Sequence, residues 1–326
     1  MSNATTRAAV ATTSARRLAT AVDLRDFGIV VSFLALFITL AFASDAFLRE
    51  RNLLNILDQA APVGIIACAI SICIIAGIFD LSTGAMFAVS AVVAAKTANS
   101  VDPWVGLAAG CLAGLGLGIV NGTIVHLTRV HSFIGTLATS IVYRGLAIIV
   151  TGGMIITVTA EAFGTVGRER VLGARVAVFV FAAVILVTSF LLHRTTFGRY
   201  VYAVGGNPEA ARLSGIRVGL VRGGCFALSG LCSGMAGVLA ASRTSSAQAS
   251  MGIGIELTAI AAAVLGGTSI LGGEGAVWRG VLGILILTMI GNGFNLLDIN
   301  TTYQLVVQGT LILAAVAADQ LLRRRP

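Results

Sequence analysis

The 326 residues are 57% hydrophobic and only 11% charged, with a mean hydropathy of +0.95. Soluble domains carry about a quarter charged residues, so this composition excludes a soluble globular protein and puts most of the chain in a membrane. The formal net charge of +8 is scattered between apolar runs rather than gathered in a stripe, which excludes a nucleic-acid surface and suits loops that set membrane orientation.

In chain order, residues 1–26 are polar and rich in Ala, Thr and Arg. They read as a disordered cytoplasmic tail and not a signal peptide, because no short apolar core is followed by a small-residue cleavage site. Residues 27–322 read as one all-α transmembrane bundle. A bilayer core of about 30 Å needs about 20 apolar residues per helix, and ten spans fit. The first five are Phe27 to Phe47, Ala60 to Phe79, a short Gly84 to Ala98, Val105 to Leu127 and Phe133 to Thr151. A polar stretch, Gly152 to Arg175, precedes the sixth, Val176 to Leu192. After the polar loop His193 to Val218 come Leu220 to Ala241, a short glycine-interrupted Ile255 to Ile270, Ala276 to Leu296 and Tyr303 to Ala318.

An even number of spans puts both termini on one side, and the basic residues favour the cytoplasm for that side. The inner set then includes Arg129, Arg194, Arg199, Arg212, Arg217, Arg222 and Arg279. The outer set is Arg49, Arg51, Lys96, Arg168, Arg170, Arg175 and Arg243, of which Arg49 and Arg51 fit the bias worst.

Short, interrupted hydrophobic segments in matching places of two halves point to a transport path. Gly77-Ile-Phe-Asp-Leu-Ser and Gly254-Ile-Glu-Leu-Thr share Gly-Ile, an acid, Leu and a small hydroxyl. The spans before them run in opposite directions, as in an inverted repeat; a short chance match is the other reading. Gly110, Gly114, Gly118 and Gly122 share one helix face, a ridge that reads first as close helix packing. Gly230 and Gly234 make a weaker ridge. Cys68, Cys73, Cys111, Cys225 and Cys232 all lie in apolar runs, so buried thiols are expected, with no disulfide and no metal site. His126, His131 and His193 flank spans and read as interfacial.

The loop 193–218 is the most informative segment. Asn207-Pro208-Glu209 is a helix start, with Asn as cap, Pro at the first position and an acid in the first turn. Gly215 supplies the stop. A helix over Pro208 to Ser214 is too short to be stable alone, so it docks, either on its own membrane domain or on a cytoplasmic partner. Within the spans, a carboxylate at membrane depth is costly and usually functional. Asp80 has two compatible readings: a cap for the amides near Ser82 and Thr83, or a contact with a transported solute. Glu256 reads the same way, and Arg144, inside the fifth span, is a candidate partner for either acid. Asn121, Thr136, Ser140, Asn292 and Asn295 are uncharged groups that suit a wet path or a helix-to-helix hydrogen bond.

The loop residues Phe197 to Gly215 closely resemble the coupling loop of ribose/xylose/arabinose-type ABC importer permeases, with Glu209-Ala210-Ala211 matching their Glu-Ala-Ala element. Ile78-Phe-Asp-Leu-Ser-Thr-Gly resembles that family's Gly-Ile-Asp-Leu-Ser-x-Gly element, departing at Ile78-Phe79. Ser132-Phe-Ile-Gly-Thr-Leu-Ala-Thr, Tyr143-Arg-Gly-Leu, Glu256-Leu-Thr-Ala-Ile-Ala-Ala-Ala and Gly272-Gly-Glu-Gly fit as well, so the resemblance covers about Phe27 to Leu322. It implies a multi-pass subunit of the bacterial inner membrane that passes a monosaccharide. It also implies three partners: an ABC ATPase, a periplasmic sugar-binding protein and a second permease, identical or paralogous.

On that resemblance Phe197, Gly198, Arg199, Asn207, Pro208, Glu209, Ala210, Ala211, Arg212, Leu213 and Gly215 form the ATPase-coupling element. The candidate pathway groups are Asp80, Ser82, Asn121, Thr136, Arg144, Glu256 and Asn292. No Gly-x-x-x-x-Gly-Lys-Ser/Thr phosphate loop is present. No cofactor is therefore expected on this chain; ATP and magnesium would belong to the ATPase. No catalytic residues are expected. Branched-chain amino-acid permeases share the architecture but typically lack the Ile-Asp-Leu-Ser pattern. An ion-coupled transporter would need no docking helix, and an intramembrane enzyme would need a catalytic constellation that is missing here.

Overall fold

The computed structural model describes residues 27–300 and, after them, 302–304, 306, 307, 309, 310, 313, 314 and 317. The expected tail, residues 1–26, lies outside these. So does much of the expected last span, whose described residues are helical.

The chain is a helical membrane bundle. Helix α1 (Phe27–Ala43) leads to α2 (Glu50–Ile75), α3 (Thr83–Ser100), α4 (Pro103–Thr128) and α5 (Ser132–Thr151). Strand β1 (Ile156–Thr157), α6 (Glu161–Arg168), β2 (Arg170–Val171) and β3 (Ala174–Arg175) follow, then α7 (Val176–Arg194). Next come α8 (Thr196–Gly206), α9 (Pro208–Leu213), α10 (Val218–Thr244), β4 (Ser246–Ala247), α11 (Ile255–Leu265) and α12 (Val277–Leu296). Among the described residues six helices are long and apolar enough to cross a membrane: α2, α4, α5, α7, α10 and α12. The other expected spans rest on shorter or less apolar pieces: α1, the 18-residue α3 and the 11-residue α11.

Local chemistry sets the helix ends. Asp102 caps α4, accepting from Trp104 N (2.8 Å) and Val105 N (3.2 Å), with Pro103 in the first turn where a missing N–H costs nothing. Helix α2 starts at Glu50, ten residues before the expected span, because its polar first turns extend beyond the apolar run. One end of the bundle carries two small antiparallel pairs, β1 with β4 and β2 with β3. Helix α6 sits with them, pinned to α10 through Ser242, which accepts from Gly167 N at 2.8 Å and donates to Phe163 O at 2.5 Å.

The core is α10 packed among α2, α3 and α4. The two glycine ridges meet: an added Cβ on Gly114 would lie 2.5 Å from Gly230 O and 2.6 Å from Gly234 Cα. In lipid, where apolar burial supplies little drive, such backbone approach is what holds helices together. Four cysteines are buried; Cys111 is only half-buried, because the neighbouring glycines, not the thiol, carry the contact face of α4.

The basic residues sort by end. Arg49, Arg51, Arg170 and Arg175 line one recess with Asp58, and Asp58 pairs with Arg175 and, at 3.5 Å, with Arg243. Arg129, Arg212, Arg217 and Arg222 share the opposite end, beside α9.

Candidate functional site

Between α2 and α3 the helical ladder is broken. Gly77 adopts φ 70°, Ile78 N returns to Cys73 O at 3.0 Å, and residues 78–82 run without helix until Thr83. The backbone groups freed there must find partners inside the protein. Ser132 and Thr136 of α5 supply them: Phe79 N donates to Ser132 Oγ (3.1 Å) and Leu81 N to Thr136 Oγ1 (3.0 Å).

Asp80 sits in this break, fully buried. One carboxylate oxygen accepts from Ser82 N (3.0 Å) and Ser82 Oγ (2.6 Å); the other accepts from Ser229 Oγ of α10 (2.7 Å). Asn121 Nδ2 donates to Ser82 Oγ at 2.6 Å, and Tyr143 OH donates to Asn121 Oδ1 at 2.8 Å. Four of the seven candidate pathway residues, Asp80, Ser82, Asn121 and Thr136, therefore surround one point where α3, α4, α5 and α10 meet. The cap-type contact to Ser82 N is present; among the described residues Thr83 Oγ1 has no hydrogen-bond partner. Among the described residues no cation pairs with Asp80; hydroxyls hold it instead.

Arg144 and Glu256 form a second group. Arg144 Nη1 donates to Ala249 O (2.5 Å) and Met251 O (2.6 Å), clamping the turns that lead from β4 into α11. Glu256 lies on the first turn of α11 against Gly84 of α3, and among the described residues its buried Oε2 has no hydrogen-bond partner. The two segments whose sequences match, at Asp80 and Glu256, thus abut at Gly84 and Gly252. From there α3 runs toward Asn99, which bonds Thr157 O at the β1 end, and α11 runs toward the α9 end. Asn292 stands apart: it and Asn52 exchange amide hydrogen bonds at 2.8 and 3.1 Å between α12 and α2.

The polar loop 193–218 contains two helices, one more than the sequence suggests. In α9, Asn207 Oδ1 accepts from Glu209 N and Ala210 N, both at 3.0 Å; Pro208 takes the first turn, and Gly215 leaves at φ 85°. Ala211 is its one buried residue, while Leu213 is 81% exposed. Glu209 and Arg212 pair on the exposed face at 2.6 Å.

The additional helix is α8. Val201 and Val204 are fully buried on one face, at i, i+3 spacing. Phe197 lies against Gly224, Gly198 against Leu192 O, and Arg199 is exposed. Gly205 packs against Ile75 O at the very end of α2, Gly273 N donates to that same oxygen at 2.8 Å, and Gly272 lies on Gly77. Tyr202 OH donates to Gly275 O at 2.8 Å. The exposed helix α9 is joined to α8 through Asn207 alone, and α8 packs on the segment that leads to Asp80.

Sequence reasoning did not single out Ser229, Ser132 or Tyr143 as site groups, nor the Asp58 cluster or the Asn52 partner. A lone hydroxyl or amide in an apolar run carries no signal of its own until the fold aims it at a partner.

Comparison with known proteins identifies the family. The family described as branched-chain amino acid transport system / permease component matches residues 52–316. The ribose import permease protein RbsC of Escherichia coli K12 is 38% identical over 313 residues, covering 94% of this chain and 98% of that one. The Bacillus subtilis ribose import permease is 42% identical over 294 residues, covering 88% and 91%. The L-arabinose transport system permease protein AraH of Escherichia coli K12 is 38% identical over 296 residues, covering 90% of each. No solved structure matches the chain. With a family match over most of its length and relatives aligned nearly end to end, the chain belongs to the branched-chain amino acid transport system / permease component family.

Proposed function

We propose that this protein is the membrane-spanning subunit of an ABC importer that carries a monosaccharide of the ribose or arabinose kind across the bacterial inner membrane. ATP hydrolysis on a separate ATPase subunit drives it. A periplasmic binding protein delivers the sugar, a second permease completes the path, and both termini face the cytoplasm. The names of the relatives support the substrate class.

The observation that carries the mechanism is α9: six residues, one of them buried, with Leu213 left 81% exposed. A helix this short needs a docking partner, and its own domain covers little of it. When the ATPase grips α9, the glycine contacts of α8 pass the displacement to the α2–α3 break. Asp80 is now held by the hydroxyls of Ser82 and Ser229. Sugar hydroxyls are the same kind of donor and can take their place once the break opens.

The test is uptake in cells carrying Glu209→Lys. The side chain is exposed, so the protein stays in the membrane, and uptake of labelled sugar should be lost. Normal uptake with α9 so altered would sink the coupling assignment. Branched-chain amino-acid transport, the subject of the family description, is the second reading, and a labelled leucine arm in the same assay separates the two.

A further inference from the structure

Beside α9 a cavity of about 920 Å³ opens between the end of α4, the turn into α5, the α2–α3 break and the start of α10. Arg129, Arg212, Arg217 and Arg222 line it with His126 and His131, and among the described residues no aspartate or glutamate does. Glu209 pairs with Arg212 from the outer face of α9; among the described residues Arg129, Arg217 and Arg222 have no ion pair. Among the described residues Arg222 Nε is buried without any hydrogen-bond partner.

The preference for basic residues on one side of a membrane explains how many arginines this end has. It does not explain why they converge on one concavity, where like charges repel, or why a guanidinium donor is buried unmet, which is costly. Planar guanidinium groups present paired donors that match the oxygens of a phosphate. The lining adds apolar surface: Val130 and Leu220 are both exposed.

We infer that this cavity binds a phosphate-bearing anion, with Arg129, Arg217 and Arg222 as its donors. The group is either the headgroup of an anionic lipid, its acyl chains lying along the exposed Val130 and Leu220, or a free phosphate. This inference does not depend on which solute the protein carries.

The test is native mass spectrometry of the full-length chain in detergent, with phosphatidylglycerol, phosphatidylcholine and inorganic phosphate as separate probes. Retention of phosphatidylglycerol over phosphatidylcholine is expected. It should weaken on the order of tenfold in the Arg129→Gln/Arg222→Gln variant and stay unchanged in Arg51→Gln/Arg170→Gln, whose arginines line the recess at the other end. Binding of inorganic phosphate with the same dependence on the arginines assigns the site to a free phosphate. Equal retention of both lipids without phosphate binding overturns the proposal, and so does an equal loss in both variants. Arg129 and Arg217 are exposed, so Arg129→Gln/Arg217→Gln carries the same expectations should the Arg222 change prevent folding.

Discussion

At the scale of single residues, the clearest contrast is between two aspartates. Asp80 is buried in a lattice of hydroxyls, whereas Asp45 is exposed at the end of α1. Replacing Asp80 by asparagine keeps the volume but removes the charge that three donors address. Hydrogen bonds to a charged group contribute about 1.5–3 kcal/mol each, so sugar uptake should fall by roughly tenfold or more in Asp80→Asn and stay near normal in Asp45→Asn. Initial uptake rates, normalised to the amount of protein in the membrane, check this; equal tolerance would remove Asp80 from the transport path. The Arg144 clamp on Ala249 O and Met251 O shows why charge pairing is a weak guide inside a membrane. A partly buried arginine has five donors to satisfy, and the carbonyls of a turn segment serve as well as a carboxylate.

At the scale of elements, glycine decides which helices touch. Gly118 faces Gly230, and a Cβ there would lie 2.9 Å from Gly230 Cα; Gly116, two residues earlier, has nothing within 4 Å. Gly118→Ala should lower stability by about 1–3 kcal/mol through overpacking, whereas Gly116→Ala should be neutral or slightly stabilising, since alanine is the better helix former. Thermal unfolding of the two variants in detergent measures the difference. The docking of α8 follows the same logic. A Cβ on Gly205 would press on Ile75 O and lie 2.6 Å from Gly273 N. Gly205→Val should therefore lift α8 off the end of α2, abolish uptake and expose residues 195–215 to protease in inside-out vesicles. A variant that remains protease-resistant and active would show that the contact does not carry the coupling.

At the scale of the whole molecule, the proposed division of labour has a direct consequence. The purified chain in liposomes should neither hydrolyse ATP nor accumulate sugar; ATP hydrolysis should appear only when an ATPase subunit is added, and sugar accumulation only when the binding protein and the second permease are supplied as well. A rate of ATP hydrolysis by the chain alone would contradict the reading.

Much of the architecture was legible beforehand because it rests on local physics. Apolar runs of span length mark α4, α5, α7, α10 and α12 to within a few residues. The Asn207-Pro208-Glu209 start and the Gly215 stop mark α9, because capping is a matter of adjacent atoms. The ridge from Gly110 to Gly122 announced a tight contact, since helical spacing alone puts those glycines on one face. The tertiary structure alone decided who the partners are. It set Gly230 against Gly114, Ser229 and Ser82 around Asp80, Arg175 and Arg243 on Asp58, and Asn52 opposite Asn292. It also turned part of an expected loop into α8, by giving Val201 and Val204 a surface to bury against. Periodicity and capping act over a few neighbouring residues and can be read along the chain. A hydrogen bond between residues 149 positions apart depends on how the helices cross, which only the folded bundle determines.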